Sequence, residues 1–240
     1  MIDPKLDELV QRLKAAAADN LKAVILYGSA TTEEFHSKHS DLNVLCVVNQ
    51  ADAAHLEALH GPVEWWTRRG QRPPLVFTLD ELRRSADIFT IELMDMKSRH
   101  RILHGENVLT DISVPLRNHS LQVECELRTN WLRLRQAILA APRKPRIFLE
   151  IMTASFSSFA ALFRHALIAL GEAPPETKRE AIDRIAKFAG ADPGAFHTIL
   201  GVREGKLKER DLNVENTLNE YSQFVEAVTE KFDRQLEANP

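Results

Sequence analysis

The apolar run "AVILY" over residues 23 to 27 ends in Gly28-Ser29, and Asp41-Leu42-Asn43 opens the run "LNVLCVV" over 42 to 48. A glycine at a strand end tolerates positive φ and lets a ligand approach the backbone. The N–H groups after it, with a serine hydroxyl and a helix start, form a nest suited to phosphate. Asp41 and Asn43 are two positions apart, so the alternation of a strand points both side chains to one face and Leu42 and Val44 to the other. Two oxygen-bearing groups facing a phosphate-binding turn are what a hard cation such as Mg²⁺ needs to bridge a nucleotide's phosphates to the protein. His36, Lys38, His39 and Ser40 crowd the intervening loop. They read either as further contacts to phosphate or acceptor or as a solvated polar loop.

Taken together, these residues resemble the signature of the nucleotidyltransferase superfamily that includes DNA polymerase beta, kanamycin nucleotidyltransferase and the minimal nucleotidyltransferases. That signature runs from an apolar strand through Gly-Ser or Gly-Gly and a loop of about this length. It ends in Asp-x-Asp or Asp-x-Glu on a second apolar strand, with a third carboxylate later. The specific likeness covers residues 24 to 48, and a looser one extends through "IELMDM" and "RILHGENVL" to about 109. It implies a nucleotide substrate, with ATP the leading NTP, and Mg²⁺ as cofactor. Gly28, Ser29, Lys38 and Ser40 would then hold the nucleotide, and Asp41, Asn43 and Glu92 would form the metal and catalytic set. Asp95 is the alternative to Glu92: on a strand the two face opposite ways, whereas on a helix they share a side. Asn43 stands where the second carboxylate belongs; it keeps an oxygen ligand and loses the charge. Neither the GxxxxGK[ST] nor the GxGxxG fingerprint occurs in the chain.

These residues need a scaffold to position them, and the pattern supplies one. Leu6, Leu9, Val10 and Leu13 recur at helical spacing over residues 4 to 18, and Asp19-Asn20 stops them. The two apolar runs read as buried strands. A helical pattern over 51 to 69 ends at Gly70 and Pro73-Pro74; "LVFT" then reads as a strand, and Thr78 with Glu81 forms a capping box for the next helix. The segment 88 to 96 favours a strand on its Ile88, Thr90 and Ile91, followed by another strand near 101 to 103, with one helix after Asp87 as the alternative.

From Pro115 onward long helical stripes replace short strands. One holds Leu116, Val123, Leu127, Trp131, Leu134 and Ile138; another runs from Phe148 through Phe163 to Leu170. A further helix ends at Gly190, Asp192-Pro193 restarts the pattern as N-cap and first helical residue, and a last stripe runs from Val214 to Phe232. The expected fold is α+β: a mixed-sheet nucleotidyltransferase-like domain over 1–112 and an α-helical bundle over 113–240, joined near 110 to 115.

Composition fits this organisation. The chain has 240 residues, 44% hydrophobic and 27% charged, with net charge −3, which gives no global footprint for nucleic acid. No uninterrupted apolar run reaches the ~20 residues of a membrane span, and the first residues lack the basic start and apolar core of a secretory signal, so a cytoplasmic protein without a membrane partner is expected. Cys46 and Cys125 are the only cysteines, both expected to be buried, and they exclude a disulfide framework.

Trp65-Trp66 with Arg68-Arg69 reads as packing or as a platform for a base or acceptor. His100 and His104 would suit a metal only on a helix, and the HExxH context is missing. The function expected is Mg²⁺-dependent transfer of a nucleoside monophosphate to a hydroxyl of a small molecule or protein. The alternative is a catalytically impaired nucleotide-binding regulator or interaction module, which allows for a homodimer or a protein partner.

Overall fold

The computed structural model describes residues 4–31 and 42–238. The chain divides into two compact units, Met1–Pro115 and Leu116–Pro240.

The first unit is built on a mixed sheet. After helix α1 (Pro4–Ala17) come β1 (Leu21–Tyr27) and β2 (Asn43–Val48), then α2 (Ala53–Ala58), α3 (His60–Thr67), β3 (Leu75–Thr78), α4 (Leu79–Arg84), α5 (Thr90–Ser98) and β4 (His100–Gly105). The strand order is β3-β2-β1-β4, with β1 antiparallel to both β2 and β4 and β2 parallel to β3. Alternation sorts the side chains of the central strands onto two buried faces. Val24, Leu26, Val44, Cys46 and Val48 meet Leu6, Leu9 and Leu13 of α1 and Trp66 of α3. On the other face Ala23, Ile25, Leu45 and Val47 meet Leu82 of α4, Leu93 and Met96 of α5, and Leu109 and Ile112 beyond β4. Cover on both sides explains why these strands read as unbroken apolar runs.

Local signals account for most boundaries. Thr78 and Glu81 make the expected capping box at α4: the Glu81 N–H donates to Thr78 Oγ1 at 3.2 Å, and the Thr78 N–H donates to Glu81 Oε2 at 2.8 Å. The pattern over 51 to 69 resolves into α2 and α3 rather than one helix, because Pro62 has no N–H to bond the Ala58 carbonyl. The largest difference lies at 88 to 96, where the strand expectation fails. Residues 90–98 form helix α5, and Thr90, Ile91, Leu93 and Met96 are buried. Leu93 and Met96, three apart, land together on the sheet face, so packing overrides the β-preference of Ile91 and Thr90. The strand expected near 101 to 103 is β4.

The second unit holds α6 (His119–Ala140), α7 (Pro145–Ala169), α8 (Lys178–Ala189), α9 (Gly194–Arg203) and α10 (Val214–Ala238). α7 is its central element and packs against α6, α8, α9 and α10. The core is aromatic: Phe159 and Phe163 of α7 surround Phe196 of α9, which stacks on Tyr221 of α10 with ring centroids 4.1 Å apart. Among the described helices, α7 alone is long and apolar enough to cross a membrane by length and composition.

α8 ends at Gly190 in the left-handed region, as its sequence signals. Asp192 does supply a cap, its Oδ1 accepting from the Gly194 N–H at 2.9 Å, but the helix starts at Gly194, one residue later than expected. Two further expectations are corrected. Leu116 precedes α6 in a short 3₁₀ turn and is exposed, and Cys125 faces outward from α6, whereas Cys46 is buried as expected.

Candidate active site

The strand ends expected to do chemistry meet at one end of the sheet. Gly28 follows β1 directly at φ +80°, a conformation that side chains rarely adopt, and opens a 3₁₀ turn over Gly28–Thr31 that includes Ser29. Its N–H donates to the Arg99 carbonyl at 3.1 Å, and its own carbonyl accepts from Thr31 Oγ1 at 2.8 Å. A Cβ built on Gly28 would lie 3.2 Å from the Asn43 amide nitrogen. The backbone of the turn and the side chain of Asn43 are therefore neighbours, as the sequence pattern requires of a phosphate turn beside a ligand. Asp41, Lys38, Ser40, His36 and His39 lie outside the described residues.

The register fixes what else is near. Tyr27, the last residue of β1, pairs with Asn43 on one side and His100 on the other. Opposed residues of antiparallel strands project to the same face. Tyr27 packs against the cluster formed with α4 and α5, so Asn43, Tyr27 and His100 form a row on the α5 side of the sheet.

Glu92 lies in the first turn of α5 and is exposed. Its charge reaches the row: the Tyr27 phenol titrates above its ordinary value, first because it is buried and then because the Glu92 carboxylate opposes a phenolate, while Arg72 acts in the other direction. Gly28 and Asn43 thus stand together at one end of the sheet, and Glu92 is within electrostatic reach of Tyr27, which precedes Gly28 and pairs with Asn43. Because α5 is a helix, Asp95 lies on the same side as Glu92, and both carboxylates remain candidates.

Several residues of this end escape sequence reading. Tyr27 is marked only by standing before Gly28. Gln71 and Arg72 sit in the turn between Gly70 and Pro74: Gln71 Oε1 accepts from the Leu42 N–H at 3.2 Å, and the Arg72 carbonyl accepts from Trp66 Nε1 at 2.9 Å. Nothing in that polar turn signals that Trp66 ties it to α3 and that Gln71 ties it to Leu42, just before β2. Trp66 is core, and the Trp65 ring is covered by Arg12 and Arg69 at 4.6 and 4.0 Å, so packing accounts for both rings. His100 and His104 lie on a strand with a bulge between them, which removes the spacing of a helical metal pair.

Among the described residues no group of three or more His, Cys, Asp and Glu is placed to hold a metal. The Asn43 amide and the Glu92 carboxylate each carry a hard oxygen of the kind Mg²⁺ takes. An open cavity of about 960 Å³ in the second unit, between Pro145 and residues 208–215, includes none of the candidate residues.

Among solved structures the chain is similar to the crystal structure of spectinomycin adenyltransferase AAD(9) from Enterococcus faecialis with ATP and spectinomycin. The TM-score is 0.57 at 14% identity, over 92% of this chain and 98% of that one. The fold is that of a nucleotidyltransferase. At this identity the likeness establishes the nucleotidyltransferase fold, an α+β arrangement with a helical C-terminal region, and nothing finer. No family model matches the chain, and no curated protein matches it in sequence.

Proposed function

We propose that this protein is a Mg²⁺-dependent nucleotidyltransferase that moves a nucleoside monophosphate from an NTP, ATP first, onto a hydroxyl of a small molecule or protein. The observation that carries the reading is the contact between Gly28 and Asn43 on the sheet face that Glu92 overlooks. The nucleotidyltransferase fold supports it, and the neighbour, crystallised with ATP and spectinomycin, supports ATP as donor and a small molecule as acceptor. The unit boundary supports taking residues 1–112 as the nucleotidyltransferase-like domain and 113–240 as the bundle domain; a cytoplasmic location belongs to the same proposal.

Gly28, Ser29, Lys38 and Ser40 would cradle the phosphates: the positive φ of Gly28 lets a ligand approach the backbone, and the N–H groups that follow it, rather than its own N–H, which is bonded to the Arg99 carbonyl, would face the anion. Asp41 and Glu92, with the Asn43 oxygen, would hold Mg²⁺. The bound ion would neutralise charge on the phosphates and assist an attacking hydroxyl. Glu92, within electrostatic reach of the half-buried Tyr27, would also help to orient the acceptor, with Asp95 one turn away.

Asn43 supports a second reading, a nucleotide-binding regulator with impaired turnover, because a neutral amide attracts a divalent ion less than a carboxylate does. Incubation with α-labelled ATP, Mg²⁺ and a panel of hydroxyl compounds separates the two. Label on an acceptor with release of pyrophosphate establishes transfer, binding without release favours the regulator, and no binding refutes both.

A further inference from the structure

His100 is left unused by the reading above, although it completes the row that begins at Asn43. The register pairs His100 with Tyr27 and Tyr27 with Asn43 across β4, β1 and β2. The Gly28 N–H is bonded at 3.1 Å to the carbonyl of Arg99, the residue just before it. The imidazole is thus attached to the strand end that holds the phosphate turn, and it is half-buried.

Its chemistry is constrained by one contact. His100 Nδ1 lies 3.1 Å from the Lys97 carbonyl oxygen. A carbonyl can only accept, so Nδ1 carries the hydrogen, and in the neutral ring Nε2 is a bare acceptor. A phosphate oxygen, itself an acceptor, is a poor partner for that lone pair. A hydroxyl, which donates, is a good one.

We propose that His100 is a catalytic residue of this site whose Nε2 accepts the hydrogen bond, and then the proton, of the hydroxyl that attacks the nucleotide. The proposal rests on the nucleotidyltransferase reading. In the step, the hydroxyl oxygen forms a bond to the α-phosphorus and the bond from that phosphorus to the bridging oxygen breaks. The electron pair leaves with pyrophosphate, and the hydroxyl proton passes to Nε2 and from there to solvent. A general base of this kind contributes about 10²- to 10⁴-fold.

Capping the end of α5 would by itself explain the bond to Lys97, and the His100→Asn variant separates the two roles. The asparagine amide nitrogen replaces Nδ1 as donor to the Lys97 carbonyl, while nothing replaces Nε2. The probe is Mg²⁺·ATP with water as the acceptor, read as AMP and pyrophosphate formed, alongside the melting temperature with and without Mg²⁺·ATP. Nitrogen NMR of the histidine rings reads the tautomer.

The expected result is an Nδ1–H tautomer for His100, an unchanged melting temperature and Mg²⁺·ATP shift in His100→Asn, and product formation reduced about 100-fold or more. Unchanged product formation, an Nε2–H tautomer, or loss of the Mg²⁺·ATP shift in the variant overturns the proposal; the last would make His100 part of the nucleotide cradle. A wild type that binds Mg²⁺·ATP but forms no AMP overturns the role of His100 while leaving the nucleotide site standing. A wild type that shows no Mg²⁺·ATP shift removes the nucleotide reading itself.

Discussion

On the proposed reading, Asn43 sets how much chemistry the site performs. Its amide stands against Gly28, where a carboxylate would bring a full negative charge to a divalent ion. Asn43→Asp is expected to raise Mg²⁺-dependent nucleotide affinity by roughly tenfold or more, measured by titration calorimetry. No change would place Asn43 outside the metal site. Gly28→Ala is expected to lower stability by about 1 to 2 kcal/mol in chemical denaturation, from the cost of positive φ, with a further contribution from the Asn43 contact at 3.2 Å. The cysteines give an independent check on the described burial. Burial pushes the Cys46 thiol up to about 12, so at neutral pH it presents almost no thiolate, whereas Cys125 is exposed. A thiol reagent is expected to modify Cys125 in the native protein and Cys46 only on unfolding; prompt double labelling would contradict the packing of β2.

At the scale of elements, what was legible depended on whether the signal was local. The Thr78 and Glu81 capping box is written in four residues and appears as read. Thr78→Ala is expected to cost about 1 kcal/mol, visible as a lower denaturation midpoint. The closeness of Gly28 and Asn43 was legible for the same reason, as a glycine and an oxygen-bearing side chain at the ends of two apolar runs. The segment 88 to 96 was not, because its β-branched residues favour a strand locally, while Leu93 and Met96 are needed together as cover for Ile25 and Leu45, positions far away in the chain. That correction matters for the site: it turns the candidate carboxylates from residues on opposite faces into residues on one side of a helix. Tyr27, Gln71 and Arg72 escaped for a related reason, since each acquires its place from cross-strand register or from a tethered turn rather than from a motif, and His100, weighed in the sequence only as half of a metal pair with His104, takes its place beside Tyr27 from the same register.

At the scale of the molecule, each compact unit carries its own core. The aromatic cluster around Phe196 dominates the second unit, where the ring touches Phe156, Phe159, Phe163, Tyr221 and Phe224. Phe196→Ala is expected to destabilise that unit by about 3 to 5 kcal/mol. Acid should act on the same unit through Asp233, whose carboxyl is held below its ordinary value of 3.8 by its bond to Arg128 at 2.6 Å. A depressed carboxylate contributes fully above its unfolded value, and the contribution is lost as pH falls through the lower, folded one. Wild type is therefore expected to lose stability below about pH 4 more steeply than Asp233→Asn; parallel curves would contradict the pair.

The central claim, a nucleotide site at the Gly28 end of the sheet, is tested most directly by thermal stability. Wild type and Asp41→Ala would be melted with each of the four NTPs, with and without Mg²⁺. A ligand at 100 times its dissociation constant adds about 2.7 kcal/mol, enough for a clear rise in melting temperature. The account predicts a Mg²⁺-dependent rise, largest with ATP, that is lost in Asp41→Ala. No rise with any nucleotide, or an equal rise in the variant, would contradict it.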